Sequence, residues 1–176
     1  RSGRRLGFLT MHIGLNLLSA SVVAAFQGTL EKWIALAIFL PIISDMSGCS
    51  GNQAVAVSIR ELTLGLIKSG EFMRVFFKEL AVGLFNGAAL GLFLGLVASI
   101  WQGSWVLCLV VGGALAVNNM VAVSVGGLLP LVAKALKLDP ALVSGPLLTT
   151  ITDMFGFFLA LGSATLVLHN FPNILK

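Results

Sequence analysis

The sequence predicts an all-α polytopic membrane protein with five transmembrane helices, on three observations. Of the 176 residues, 57% are hydrophobic and 10% charged, where soluble domains carry about 25% charged residues. Mean hydropathy is +1.01, and five apolar stretches reach the roughly 20 residues that cross a bilayer. The basic residues also sort by side. Arg1, Arg4, Arg5, Arg60, Lys68, Arg74, Lys78, Lys134 and Lys137 fall on one side of a five-span layout, leaving Lys32 and Lys176 on the other. The positive-inside rule then puts the N-terminus in and the C-terminus out. The net charge of +4 thus marks a cytoplasmic face; no nucleic-acid-binding motif accompanies it, and no nucleic-acid partner is expected. The chain opens on Arg1, which allows a fragment or an excised domain as one expectation, and its first apolar run is too long for a cleavable signal and lacks a clear processing site.

Residues 1–176 read as a single transmembrane domain. The first span covers 6–26. The second covers 33–66 and is expected to kink, because "FLPIISDMSGCSGNQAVAV" holds Pro41, Gly48 and Gly51 among many polar side chains. Proline removes a backbone donor, and non-helical backbone at membrane depth survives only where protein or water covers it. Such a segment would offer freed carbonyls as cation ligands. In the linker, Phe72, Val75, Phe76 and Leu80 share one face, with Glu71, Arg74, Lys78 and Glu79 elsewhere. This predicts an amphipathic surface helix over 70–79. The third span, 80–101, carries Gly83, Gly87, Gly91 and Gly95 on one stripe, which reads as a close helix-packing face. The fourth, 105–133, holds Asn118 and Asn119, expected to form interhelical hydrogen bonds. The fifth covers 140–168. Trp33, Trp101 and Trp105 are expected at water-facing ends. Cys49 and Cys108 lack metal-ligand spacing.

Two acids lie deep in these spans. Asp45 is roughly 18 Å along the second span from Trp33, and Asp153 roughly 20 Å along the fifth from Pro140, at 1.5 Å per helical residue. Both depths fall near the middle of a core about 30 Å thick. A charge there costs at least about 2.5–3.5 kcal/mol, so each needs a reason. Helical spacing groups Thr149, Thr152, Asp153 and Gly156 on one face, and Pro41, Asp45, Gly48 and Asn52 on the other. Oxygen ligands without nitrogen or sulfur suit hard cations. Few carboxylates, with room for water, favour Mg²⁺. The candidate metal residues are therefore Asp153, Asp45, Asn52, Gly48, Thr149 and Thr152. The motif "GCSG" also matches the GxSG pattern of rhomboid proteases, but a serine nucleophile needs a nearby histidine base. His12 and His169 sit near opposite ends of the sequence, so the chain does not read as an enzyme.

The stretches "GCSGNQAVAVSIREL" and "DPALVSGPLLTTITD" resemble the second and fifth spans of the MgtE magnesium transporters. The resemblance runs over essentially the whole chain and matches the transmembrane portion, without the cytosolic N-terminal domain and CBS pair usual in that family. It implies a homodimer in membrane lipid, with a pore on the two-fold axis lined by the second and fifth helices. It also implies a hydrated Mg²⁺ held by the Asp that matches Asp153, with Gly48 and Asn52 nearby, in a bacterial inner membrane. Two positions depart from the pattern: Asp45, where the family usually has a small residue, and Cys49, where it usually has Asn. The expected function is a divalent-cation channel or transporter for Mg²⁺. The alternative is a Na⁺- or H⁺-coupled divalent-cation exchanger that uses the paired acids.

Overall fold

The computed structural model describes residues 2–68 and 70–170, the side chains of 2–5, 8 and 9 excepted. Arg1, Lys176 and the side chains of Arg4 and Arg5, which carry part of the predicted orientation, lie outside the described residues. The described chain is all helical: α1 (Ser2–Ala25), α2 (Gln27–Lys32), α3 (Leu36–Thr63), α4 (Phe72–Gln102), α5 (Trp105–Ala135) and α6 (Pro140–Asn170). Among the described residues, α4, α5 and α6 are long and apolar enough to cross a membrane. Helix α3 has the length but carries too many polar side chains to belong with them.

Local chemistry sets the helix ends. Gly103 adopts φ 66° after α4, the left-handed geometry that closes a helix at no steric cost. Pro140 opens α6, where a missing N–H costs nothing, and the Asp139 carboxylate accepts from the Ala141 N–H at 3.0 Å.

The central helix is α5, which packs against α3, α4 and α6; α1 rests on α6. The glycine stripe of α4 is a packing face, and its partner is α5 of the same chain. A Cβ on Gly87 would meet the Ala116 carbonyl oxygen at 2.5 Å, and one on Gly91 the Gly112 oxygen at 2.5 Å. The two backbones touch, as in membrane helix pairs held by dispersion rather than by the hydrophobic effect. The α3–α5 crossing is as tight. A Cβ on Gly51 would meet the Ala122 carbonyl oxygen at 2.9 Å, and one on Gly126 would run into the Gly51 backbone.

Three features add detail to the expectations. Residues 72–79, expected as a surface helix over 70–79, run without a break into α4. The second span is an uninterrupted helix from Leu36. Pro41 sits near its start, so the proline deprives one carbonyl of a partner without ending the helix, and Gly51 packs closely against Ala122 and Leu148. Trp33 lies in the connection between α2 and α3 but is buried there. It is 6% exposed and joins Leu36, Phe39 and Leu107 in the core, whereas Trp101 and Trp105 are exposed. The short α2 causes this by folding the α1–α3 connection back over α6, where the Thr29 and Thr165 hydroxyls meet at 2.6 Å.

Apolar packing gathers at the two ends. One cluster joins Leu36, Phe39, Ile43, Leu107, Leu115 and Leu161. A smaller one joins Leu62, Ile67, Val75 and Leu131 at the other end. Between them lies a waist of small and polar residues: Ser47, Gly48 and Gly51 of α3, Asn118 and Asn119 of α5, and Thr152, Asp153 and Gly156 of α6.

Candidate functional site

At this waist α3 and α6 leave a groove of about 340 Å³, lined by Pro41, Ser44, Asp45, Gly48, Asn52, Thr149 and Asp153, among others. Its small side chains follow from the helical stripes, since i, i+4 and i+7 positions share a face. Asp45 and Asn52 are exposed on α3, Asp153 and Thr149 are half-buried on α6, and Gly48 is buried at the floor. Five of the six sequence-predicted residues therefore meet in one place. The sixth, Thr152, lies behind the groove. It is fully buried, its hydroxyl donates to the Thr149 carbonyl at 3.0 Å, and its own carbonyl accepts from Asn118 Nδ2 at 3.0 Å.

One neighbour went unpredicted. The Ser44 hydroxyl donates to Asp153 Oδ1, tying α3 to α6 at the carboxylate. The signal was available, since Ser44 and Gly48 are one turn apart and share a stripe. A face centred on Asp45 is rotated one residue away from it. The second carboxylate oxygen of Asp153 receives no hydrogen bond from the described residues. It remains an acceptor, as a cation or its bound water requires.

The polar side chains behind the groove are only partly hydrogen-bonded. Asn118 makes the expected interhelical bond, but Asn119 makes none: its amide atoms and the Ser47 hydroxyl are buried without a protein partner. Asn118 also lies under Gly156, whose Cβ would meet Nδ2 at 2.7 Å. Asn118→Ala removes this interhelical bond while the Thr152 carbonyl keeps its partner within α6, so the variant should lose about 0.5–1.5 kcal/mol. Thermal unfolding of the purified variant, with a lower Tm expected, checks this.

Among the described residues, no group of three or more His, Cys, Asp and Glu converges to hold a metal ion. One chain thus offers two carboxylates and neutral oxygens, too few to strip a dication of its water. The arrangement suits a hydrated ion, or one shared with a second copy. Ser50 forms no hydrogen bond with His12 or His169 among the described residues, and His12 Nε2 is buried without a partner. No nucleophile–base pair is assembled there.

Comparison with known proteins shows the family. The profile of a family described as a divalent cation transporter matches residues 40–163, a span that contains the whole groove. The chain is 34% identical over 167 residues to the magnesium transporter MgtE of Bacillus subtilis (strain 168), covering 95% of this chain and 37% of that protein. It is 30% identical over 170 residues to the magnesium transporter MgtE of Enterococcus faecalis, covering 97% and 38%. It is 35% identical over 165 residues to that of Thermus thermophilus, covering 94% and 36%. The chain spans a little over a third of the length of these relatives.

Proposed function

Because the chain belongs to the MgtE family of divalent cation transporters, a membrane-protein family whose members are transporters and not enzymes, we propose that it conducts hydrated Mg²⁺ along the α3–α6 groove. The observation that carries this reading is the meeting of Asp153 and Asp45, from two helices, in one groove with Asn52, Thr149 and Gly48. Five helices, α1 and α3 to α6, cross the membrane, with the N-terminus on the cytoplasmic side. The chain resides in a bacterial inner membrane, surrounded by its lipid.

A homodimer completes the pore. The exposed face of α3 carries Asp45, Cys49, Asn52 and Gln53, and such a face does not tolerate hydrocarbon. Turned toward the same face of a second copy, it lines an aqueous path on the two-fold axis. Charge drives the mechanism. Bringing a dication to the bilayer centre is opposed by lost solvation, and two Asp153 carboxylates, one per subunit, offset that cost. Retained water and the neutral oxygens supply the remaining ligands. Ser44 holds each carboxylate toward the groove.

The test is Mg²⁺ uptake into proteoliposomes that carry only a Mg²⁺ gradient. Uptake is expected without any Na⁺ or pH gradient, and uptake that requires either gradient sinks the proposal. Asp45→Asn should reduce the rate about several-fold rather than abolish it, because an exposed charge is screened by water and salt. The same assay reads this outcome.

A further inference from the structure

Asp153 borders a second cavity as well. Between α1 and α6 lies a cleft of about 550 Å³ with Asn16, Ser19, Gln27 and Asp153 among its walls. Its chemistry differs from that of the groove. Val23, Leu30 and Phe157 supply apolar walls, so the cleft is poorly suited to an ion carrying a water shell. Its polar groups include free acceptors beside the Asn16 amide. Gln27 Nε2 already donates to Glu31 Oε1 at 3.0 Å, which leaves the Gln27 amide oxygen free. The Ser19 hydroxyl points its proton at the Thr150 carbonyl, at 3.5 Å, which leaves its lone pairs. Asp153 accepts from Ser44 through one oxygen only. No Lys or Arg lines the cleft.

A carboxylate, neutral acceptors, apolar side chains in the walls and a volume in the range of drug-sized ligands define the complementary molecule. We propose that the α1–α6 cleft binds an amphiphilic amine, with its ammonium paired to Asp153 and its chain against Val23, Leu30 and Phe157. The ring of Phe157 adds a face on which a cation is attracted. Because the same carboxylate serves the α3–α6 groove, occupancy by the amine and by the divalent ion is mutually exclusive. The binding claim rests on the cleft alone, and the claim of inhibition rests also on the transport reading above.

The experiment uses dodecylamine as the probe and dodecanol as its uncharged control, on the full chain. Two readouts separate the claims: thermal unfolding of the purified protein in detergent, and Mg²⁺ uptake into phosphatidylcholine–phosphatidylglycerol vesicles free of amine lipids. Dodecylamine should raise the Tm of the wild type, because a ligand of the folded state stabilises it, and dodecanol should not. The shift should vanish in Asp153→Asn. It should also vanish in the double variant Ala20→Phe/Ala24→Phe, which fills the cleft from two exposed lining positions outside the ion groove. Uptake by the wild type should be inhibited, and the filled variant should transport normally with a half-inhibiting concentration raised at least about tenfold. Equal Tm shifts in wild type and filled variant, or equal shifts from dodecanol, overturn the site. A cleft-dependent Tm shift without inhibition of uptake leaves the site standing and refutes its coupling to transport.

Discussion

Asp153→Asn should lower Mg²⁺ flux at least about a hundredfold while the protein remains folded. A dication held through one water layer, about 5 Å from a carboxylate, gains on the order of 6 kcal/mol from it at an effective dielectric of about 20. Replacing the acid by its neutral isostere removes that gain on both sides of a two-fold site. Each 1.4 kcal/mol is a factor of ten, so a small fraction of the loss suffices. The side chain keeps its shape, and the Ser44 hydroxyl retains an oxygen to donate to, so the α3–α6 contact survives. The expected signature is lost uptake in proteoliposomes with unchanged Tm and unchanged elution on size exclusion. Asp153→Ala, which also removes the acceptor for Ser44, should show the same loss of flux together with some loss of stability.

The largest effect on stability should come from a methyl group at the α3–α5 crossing. Gly126→Ala puts a Cβ into the backbone of Gly51, nearest its carbonyl oxygen. No rotamer relieves that clash, because both partners are main chain. The helices must separate, which costs the Gly51 contacts with Ala122 and Leu148 as well. Overpacking a well-filled interior typically costs about 1–3 kcal/mol and occasionally more, and a main-chain clash belongs at the upper end. Gly162→Ala is the matched control: its Cβ meets nothing within 4 Å, and alanine is the better helix former. Thermal unfolding should show Gly126→Ala strongly destabilised, or absent from the folded fraction, with Gly162→Ala at or above wild type. Equal Tm values would mean the crossing is looser than described.

The sequence made some of this visible and hid the rest for physical reasons. The glycine stripe of α4 was legible because glycine at every fourth position has a specific packing use, but its partner was not. Which helix fills the stripe depends on tertiary arrangement, and α5 advertises only Gly112 and Ala116 in return. Asp153 stood out because a carboxylate at that depth is costly. Ser44 did not, since a serine in an apolar helix bonds its own backbone as readily as a neighbour. The continuity of α3 through Pro41 fits a proline near the helix start, where it is tolerable, and the pattern alone places that start at Trp33 rather than Leu36. The hidden cause was α2, a six-residue helix too short for any periodicity to register. It also buries Trp33, which an interface rule alone would place in the headgroups. Thr152 was grouped with Asp153 by spacing, yet adjacent positions on a helix point about 100° apart, and that rotation carries Thr152 from the groove to its back wall.

The central claim is that the divalent ion binds, still hydrated, at the Asp153 carboxylate. The most direct test is Mn²⁺ electron paramagnetic resonance on the purified chain, with Mn²⁺ standing in for Mg²⁺. The account predicts a bound Mn²⁺ whose spectrum shows coupling to exchangeable water protons, which Mg²⁺ displaces, which Asp45→Asn weakens and which Asp153→Asn abolishes. An unchanged bound-Mn²⁺ spectrum in Asp153→Asn would contradict it and would leave Asp153 as a structural hydrogen-bond acceptor for Ser44.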